Sequence, residues 1–165
     1  MELSTVNKTI LDSMFTYFPT GYDTSAARLL LLTIGLQESR FQYRAQLGGG
    51  PARGFWQFEE GNEKSKGGVW GVLNHYRVGP LAKQFCRQLG IAADPKTVWR
   101  AMETNDVLAA GFARLLLLAD AKALPKVGAV EDAWECYAKR TWRPGKPHRA
   151  TWDGFYAQAR KELGV

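Results

Sequence analysis

The chain has 165 residues, 45% of them hydrophobic and 12% aromatic, enough to bury the core of one ordinary globular domain, which excludes disorder over most of its length. A formal charge of +6 and a sequence pI of about 9.4 favour an anionic partner, whether nucleic acid, acidic polysaccharide or membrane surface, without choosing among them. The longest apolar run, Leu115 to Ala119, falls far short of the roughly 20 residues that span a bilayer, so stable membrane insertion is not expected.

Ser4 or Thr5 can cap a first helix in which Val6, Ile10, Leu11, Met14, Phe15 and Phe18 recur at helical spacing, with Pro19 and Gly21 as its stop. Asp23, Thr24 or Ser25 can cap a second, from Ala26 to Leu36. Only Arg28 and Thr33 interrupt its apolar surface, which places it in the middle of a domain. From Arg40 to Gly54 the periodicity fails, and Gly48-Gly49-Gly50-Pro51 marks an irregular loop. A second glycine-rich stretch runs from Gly61 to Gly71. Helices are then predicted over about Val69 to Tyr76, over Pro80 to Leu89 with Gly90 as C-cap, and over Pro95 to Met102. The strongest helix carries Val107, Leu108, Phe112, Leu115, Leu116 and Ala119, capped by Thr104, Asn105 or Asp106. Ala129 to Tyr137 reads as another, and Thr151 to Leu163, capped by Thr151 or Asp153, as the last. No long segment alternates with period two. The expected fold is all-α or mainly α, a single domain over residues 1–165 with an irregular glycine-rich loop.

Cys86 and Cys136 form neither a CxxC pair nor a disulfide framework and are read as buried free thiols rather than a zinc site. His75 and His148 are isolated and read as surface or hydrogen-bonded residues; no metal and no cofactor is expected. The N-terminus lacks a basic region followed by an apolar one, so no signal peptide is expected.

The segment Gly35-Leu36-Gln37-Glu38-Ser39-Arg40-Phe41 ends an apolar helix with a carboxylate and opens directly into the irregular loop. Loss of hydration there raises a glutamate's pKa toward the range where it can deliver a proton near neutral pH, which makes Glu38 a candidate general acid. The plainer alternative is that Glu38 forms a salt bridge with Arg40 or Arg44. In Gly50-Pro51-Ala52-Arg53-Gly54-Phe55-Trp56-Gln57-Phe58, glycines allow close approach of a ligand to the backbone, Gln57 offers a donor and an acceptor, and Trp56 with Phe55 offers flat faces for sugar rings.

Together these two segments resemble the lysozyme-like superfamily of soluble lytic transglycosylases and goose-type lysozymes. That group carries a Glu-Ser at a helix end, an aromatic two residues on, and a Gly-Ala-x-Gly-Leu-Met-Gln segment. Glu38-Ser39-x-Phe41 matches the first part; Gly50 to Gln57 matches the second, with Phe55-Trp56 in place of Leu-Met and one inserted residue. Thr104-Asn105-Asp106-Val107 resembles the helix that packs under the active site in that group. The third signature, Ala-Tyr-Asn-Ala-Gly, is altered: its best counterpart is Ala133-Trp134-Glu135-Cys136-Tyr137, with no Asn-Ala-Gly after it. The resemblance spans about residues 25 to 140. It implies a lysozyme-like fold and a catalytic Glu38, with Ser39, Trp56, Gln57 and Tyr137 as substrate-binding or glutamate-orienting residues.

What it implies for activity is cleavage of the β-1,4 bond between N-acetylmuramic acid and N-acetylglucosamine in peptidoglycan. In such enzymes the substrate's N-acetyl group supports the cationic centre, and the glutamate then activates either the sugar's 6-hydroxyl or water. A hydrolase with a protein base needs a second carboxylate; Glu59, Glu60 and Glu63 are the nearest in sequence. A single-glutamate mechanism needs fewer assumptions and favours the lytic transglycosylase. Small size, no signal peptide and no separate wall-binding domain suit a monomeric phage lytic enzyme, held in the host cytoplasm until release to the periplasm or carried on the virion. The competing class is a nucleic-acid-binding module using Trp142 to Arg149, but the basic residues are scattered and carry no nucleic-acid motif, so the expected partner is the glycan strand. An inactive relative that keeps the fold is the third alternative.

Overall fold

The computed structural model describes residues 1–165, and its regular elements are all helical. Helix α1 covers residues 3–15 as the turn Leu3–Thr5, a π-helical stretch Val6–Leu11 and the turn Asp12–Phe15. It starts before the expected caps Ser4 and Thr5: Glu2 holds the N-cap position and makes no side-chain bond there. Val6, Ile10, Leu11, Met14 and Phe15 are buried, as their spacing requires.

Helix α2, Ser25–Ser39, runs through the centre of the molecule and is capped by Thr24, whose hydroxyl accepts from Ala27 N at 3.1 Å. Ala27, Leu29 to Leu32, Ile34 and Leu36 are all buried, which is what an all-round apolar helix demands. It extends past the predicted end at Leu36, so that Glu38 and Ser39 lie in its last turn, and it stops where Arg40 turns left-handed at φ 52°. The short helices α3 (Gly68–Asn74), α4 (Gly79–Gln88) and α5 (Pro95–Ala101) follow. Helix α6, Asp106–Ala119, is capped by Asn105, whose side chain accepts from Leu108 N at 2.9 Å.

Helix α7, Val130–Glu135, does not stop near Tyr137 as predicted but continues as a π-helical segment, Cys136–Thr141. Helix α8, Arg149–Leu163, packs along α2 and starts two residues before the expected cap. Thr151 is inside it, its hydroxyl within bonding distance of Gln37 Oε1 at 3.0 Å and of His148 O at 3.1 Å. One apolar cluster runs from Val6 to Ala159 through all these helices. No helix is long and apolar enough to cross a membrane.

The loop between α2 and α3 is ordered by backbone pairing too short to make a strand. Ala45 bridges to Arg53 and Arg53 to Phe58, with Arg53 N to Phe58 O and Phe58 N to Arg53 O both at 2.8 Å. Gly54, at φ 73°, donates its N–H to Arg44 O at 2.7 Å, and a Cβ there would stand 3.0 Å from that of Ala109. The loop is fastened to α2 by aromatic packing: Phe41 meets Phe55 and Trp56 edge-on, at 5.5 and 5.6 Å between centroids. Phe41 fits only because position 35 is glycine, since a Cβ there would lie 2.1 Å from its ring.

Candidate active site

Glu38 is carried to the wall of a cleft of about 580 Å³ by the last turn of α2. The other walls are the end of the paired loop, the start of α3, the end of α6 and the π-helical segment after α7; Gln57, Glu59, His75, Asp120, Arg140 and Trp142 all face this space. The glutamate makes one side-chain hydrogen bond: Tyr137 Oη donates to Glu38 Oε1 at 2.7 Å. Burial pushes the Glu38 carboxyl up to about 7, and the Tyr137 bond, which favours the ionised form, offsets only part of that rise. Burial and the nearby glutamate also push the Tyr137 hydroxyl well above its ordinary range, so it remains a donor.

The salt-bridge alternative for Glu38 does not hold. Arg44 is paired side-on with Asp106 through two bonds of 2.8 Å, its guanidinium 4.2 Å from the Phe55 ring centroid, and Arg40 is exposed. A carboxyl with no cation beside it and a phenol donating to one of its oxygens is suited to hold a proton and to release it from the other oxygen.

Tyr137 stands at the start of a π-helical segment that places the residues following it. Trp142 N and Arg143 N both donate to Tyr137 O, at 3.1 and 3.2 Å, and the Thr141 hydroxyl donates to Cys136 O at 2.7 Å. The wide turn brings Arg140, Thr141 and Trp142 onto the same cleft as Glu38; π-turns recur at functional sites for this kind of register shift. Tyr137 is itself buried, stacked on Trp152 at 5.0 Å and 14°.

Some expected substrate contacts need correction. Trp56 is fully buried, with its indole N–H donating to Leu31 O at 2.9 Å, and Phe55 beside it is buried too, so both are part of the core and offer no face to a sugar. Ser39 is also buried; its hydroxyl lies 2.7 Å from Phe55 O as donor and accepts from Phe41 N at 3.1 Å, which fastens the loop to the helix end rather than binding a ligand. Gln57 does lie on the cleft, in a left-handed conformation at φ 49°, with its amide donating to Gly54 O at 2.8 Å. Tyr137 contacts the glutamate but is not among the residues that line the cleft.

Phe58 and Trp142 both line the cleft, and Phe58 is buried while Trp142 is partly exposed. Trp142 packs edge-on against Phe58 at 5.8 Å and is fixed by its indole N–H to Trp56 O at 2.9 Å. In the sequence Trp142 stands out only as the aromatic that opens the basic stretch Trp142 to Arg149, and nothing there ties it to Glu38. Among the three glutamates after the loop, only Glu59 lines the cleft. Asp120, also on the wall, is committed to Arg140 at 2.7 Å and to Lys122 N at 3.1 Å.

His75 faces the cleft singly, its Nδ1 accepting from Arg77 N at 3.2 Å, and burial with the nearby Arg77 lowers its pKa. No three His, Cys, Asp or Glu side chains are grouped so as to hold a metal ion. Cys86 and Cys136 are separate, buried and free. No protein-family profile, curated protein or solved structure matches this chain.

Proposed function

We propose that this chain cleaves the β-1,4 glycosidic bond between N-acetylmuramic acid and N-acetylglucosamine in bacterial peptidoglycan, as a lytic transglycosylase in which Glu38 is first acid and then base. The observation that supports it best is the state of Glu38: a desolvated carboxyl with a pKa of about 7, no cation beside it and one oxygen held by Tyr137, on the wall of a cleft.

Glycosidic cleavage needs a proton on the leaving oxygen as the C–O bond breaks, and support for the oxocarbenium-like carbon that remains. Glu38 in its acid form gives the proton. The substrate's own N-acetyl oxygen supports the carbon, which is why a protein nucleophile is unnecessary. Glu38, now a carboxylate, takes the proton from the 6-hydroxyl of the same sugar as that oxygen closes on the anomeric carbon. The products are a shortened strand and a 1,6-anhydromuramyl end, and the glutamate is again protonated. Trp142 offers a ring face and Gln57 an amide to the sugars on either side.

Glu59 on the same cleft supports a second reading, in which that carboxylate activates water and the product is a reducing end. Both readings agree with a lytic enzyme of phage origin acting on the wall as a monomer. Turbidity of outer-membrane-permeabilised Gram-negative cells, set beside a salt-dependent DNA-binding titration, tests the proposal. Lysis that depends on Glu38 is expected; DNA binding without lysis would make the chain a nucleic-acid-binding module, and neither would make it an inactive relative.

A further inference from the structure

The guanidinium of Arg140 is oriented but largely unspent. Its Nε donates to Asp120 Oδ2 at 2.7 Å, the Cys136 thiol lies beside the guanidinium, and neither terminal amino group donates to an oxygen or nitrogen of the chain. Asp120 is fixed in turn: its other oxygen accepts from Lys122 N at 3.1 Å, and its side chain is only 8% exposed. The other well-placed arginines differ. Arg44 closes on Asp106 through two bonds, and Arg28 spends Nε and NH2 on Asp23 and NH1 on Asn7 and Asp12. Arg140 instead holds one N–H of its five against a buried carboxylate and lines the cleft that contains Glu38. A guanidinium held by one edge presents the remaining fork to an incoming planar anion, and a carboxylate fits that fork through two parallel bonds.

We propose that Arg140, oriented by Asp120, is a carboxylate-binding residue of the cleft that selects glycan bearing pendent carboxylates over neutral chitin-type glycan; this rests on the glycan-cleaving reading above. Lys66 and Arg143 line the same cleft and add positive charge, against the carboxyl groups of Glu59 and Glu38, neither of which is paired with a cation. Peptidoglycan carries carboxylates on its lactyl groups where these are unsubstituted and on its stem peptides elsewhere. Chitin oligomers carry none.

The test is a binding titration on the full chain carrying Glu38→Gln, so that ligand survives. Three ligands are compared: the N-acetylglucosamine–N-acetylmuramic acid disaccharide with a free lactyl carboxylate, the same disaccharide bearing a stem peptide, and chitobiose. Arg140→Gln is combined with Asp120→Asn, so that no buried carboxylate is left unpaired, and Arg140→Lys keeps the charge while removing the fork. Loss of a charge-assisted bond weakens binding about tenfold. That loss is expected for at least one carboxylate ligand, with chitobiose unchanged, and whichever ligand loses affinity identifies the carboxylate that is read. Equal loss on all three ligands, or no Arg140-dependent binding of either carboxylate ligand, overturns the proposal. The two readings fail separately: selective binding in a protein that never lyses walls leaves Arg140 standing without the cleavage, and lysis indifferent to Arg140 does the reverse.

Discussion

Tyr137 and Glu38 stand 99 positions apart in the chain and meet through one hydrogen bond of 2.7 Å. The bond occupies one carboxyl oxygen and favours the ionised form, while burial favours the protonated form more strongly. The balance leaves the carboxyl with a pKa of about 7, able to serve as acid and then as base at neutral pH.

Glu38→Gln keeps the shape of the side chain and removes its proton. Wall lysis followed by turbidity should fall by about a hundred- to ten-thousand-fold, the usual range for general acid catalysis, with unchanged circular dichroism. Retention of more than roughly a tenth of wild-type activity would exclude Glu38 as the acid.

The same substitution should stabilise the protein at high pH. The folded pKa of Glu38, about 7, lies above its ordinary 4.5, so the folded state binds the proton more tightly than the unfolded one. This contribution is complete below about pH 4.5 and is lost as pH rises to about 7. Above that, Glu38→Gln should be the more stable by on the order of 3 kcal/mol, with the gap shrinking as pH falls from about 7 toward about 4.5. Chemical denaturation at pH 5 and pH 8 measures it, and equal gaps at both would contradict the raised pKa.

Tyr137→Phe removes the bond to Glu38 and almost no volume, so turnover should drop more than melting temperature. Because the lost bond lowered the Glu38 pKa, the variant's pKa should rise. The acid form is needed for the first step, so the alkaline limb of the kcat/KM profile, near pH 7 in the wild type, should move to higher pH. A limb that stays in place would leave Tyr137 with packing alone.

The two tryptophans should separate cleanly. Trp56→Ala should cost about 3–5 kcal/mol of stability, as removal of a buried aromatic does. Trp142→Ala should instead raise KM for glycan strands with a smaller loss of stability, because part of its surface faces the cleft. Melting curves and steady-state kinetics on both variants decide it, and the opposite assignment would restore Trp56 as the platform.

The product is read by mass spectrometry of digested peptidoglycan. Anhydromuramyl ends, lighter by one water than reducing ends, should dominate, and Glu59→Gln should leave their yield unchanged. A digest of reducing ends only, lost on Glu59→Gln, would make the chain a lysozyme that uses Glu59 as base.

Much of this was legible in the sequence because it depends on neighbours along the chain. The periodicity of Val6 to Phe18, Ala26 to Leu36 and Val107 to Ala119 fixed three buried helices, since an apolar face must be covered wherever it lies. Glu38 stood out because it ends a helix that is apolar on nearly every side and opens directly into the irregular loop. What depends on where distant segments meet was settled only by the tertiary structure. Whether Trp56 faced a ligand or the core turned on Leu31 O, 25 positions away, and on the space that Gly35 opens for Phe41. Ser39 was spent on the loop that crosses it. The π-turn after Cys136 put Trp142 and Arg140 on the cleft, a register no 3.6-residue pattern announces. Local pattern determines which faces are buried; which polar groups remain free for chemistry is decided by the partners that folding brings to them.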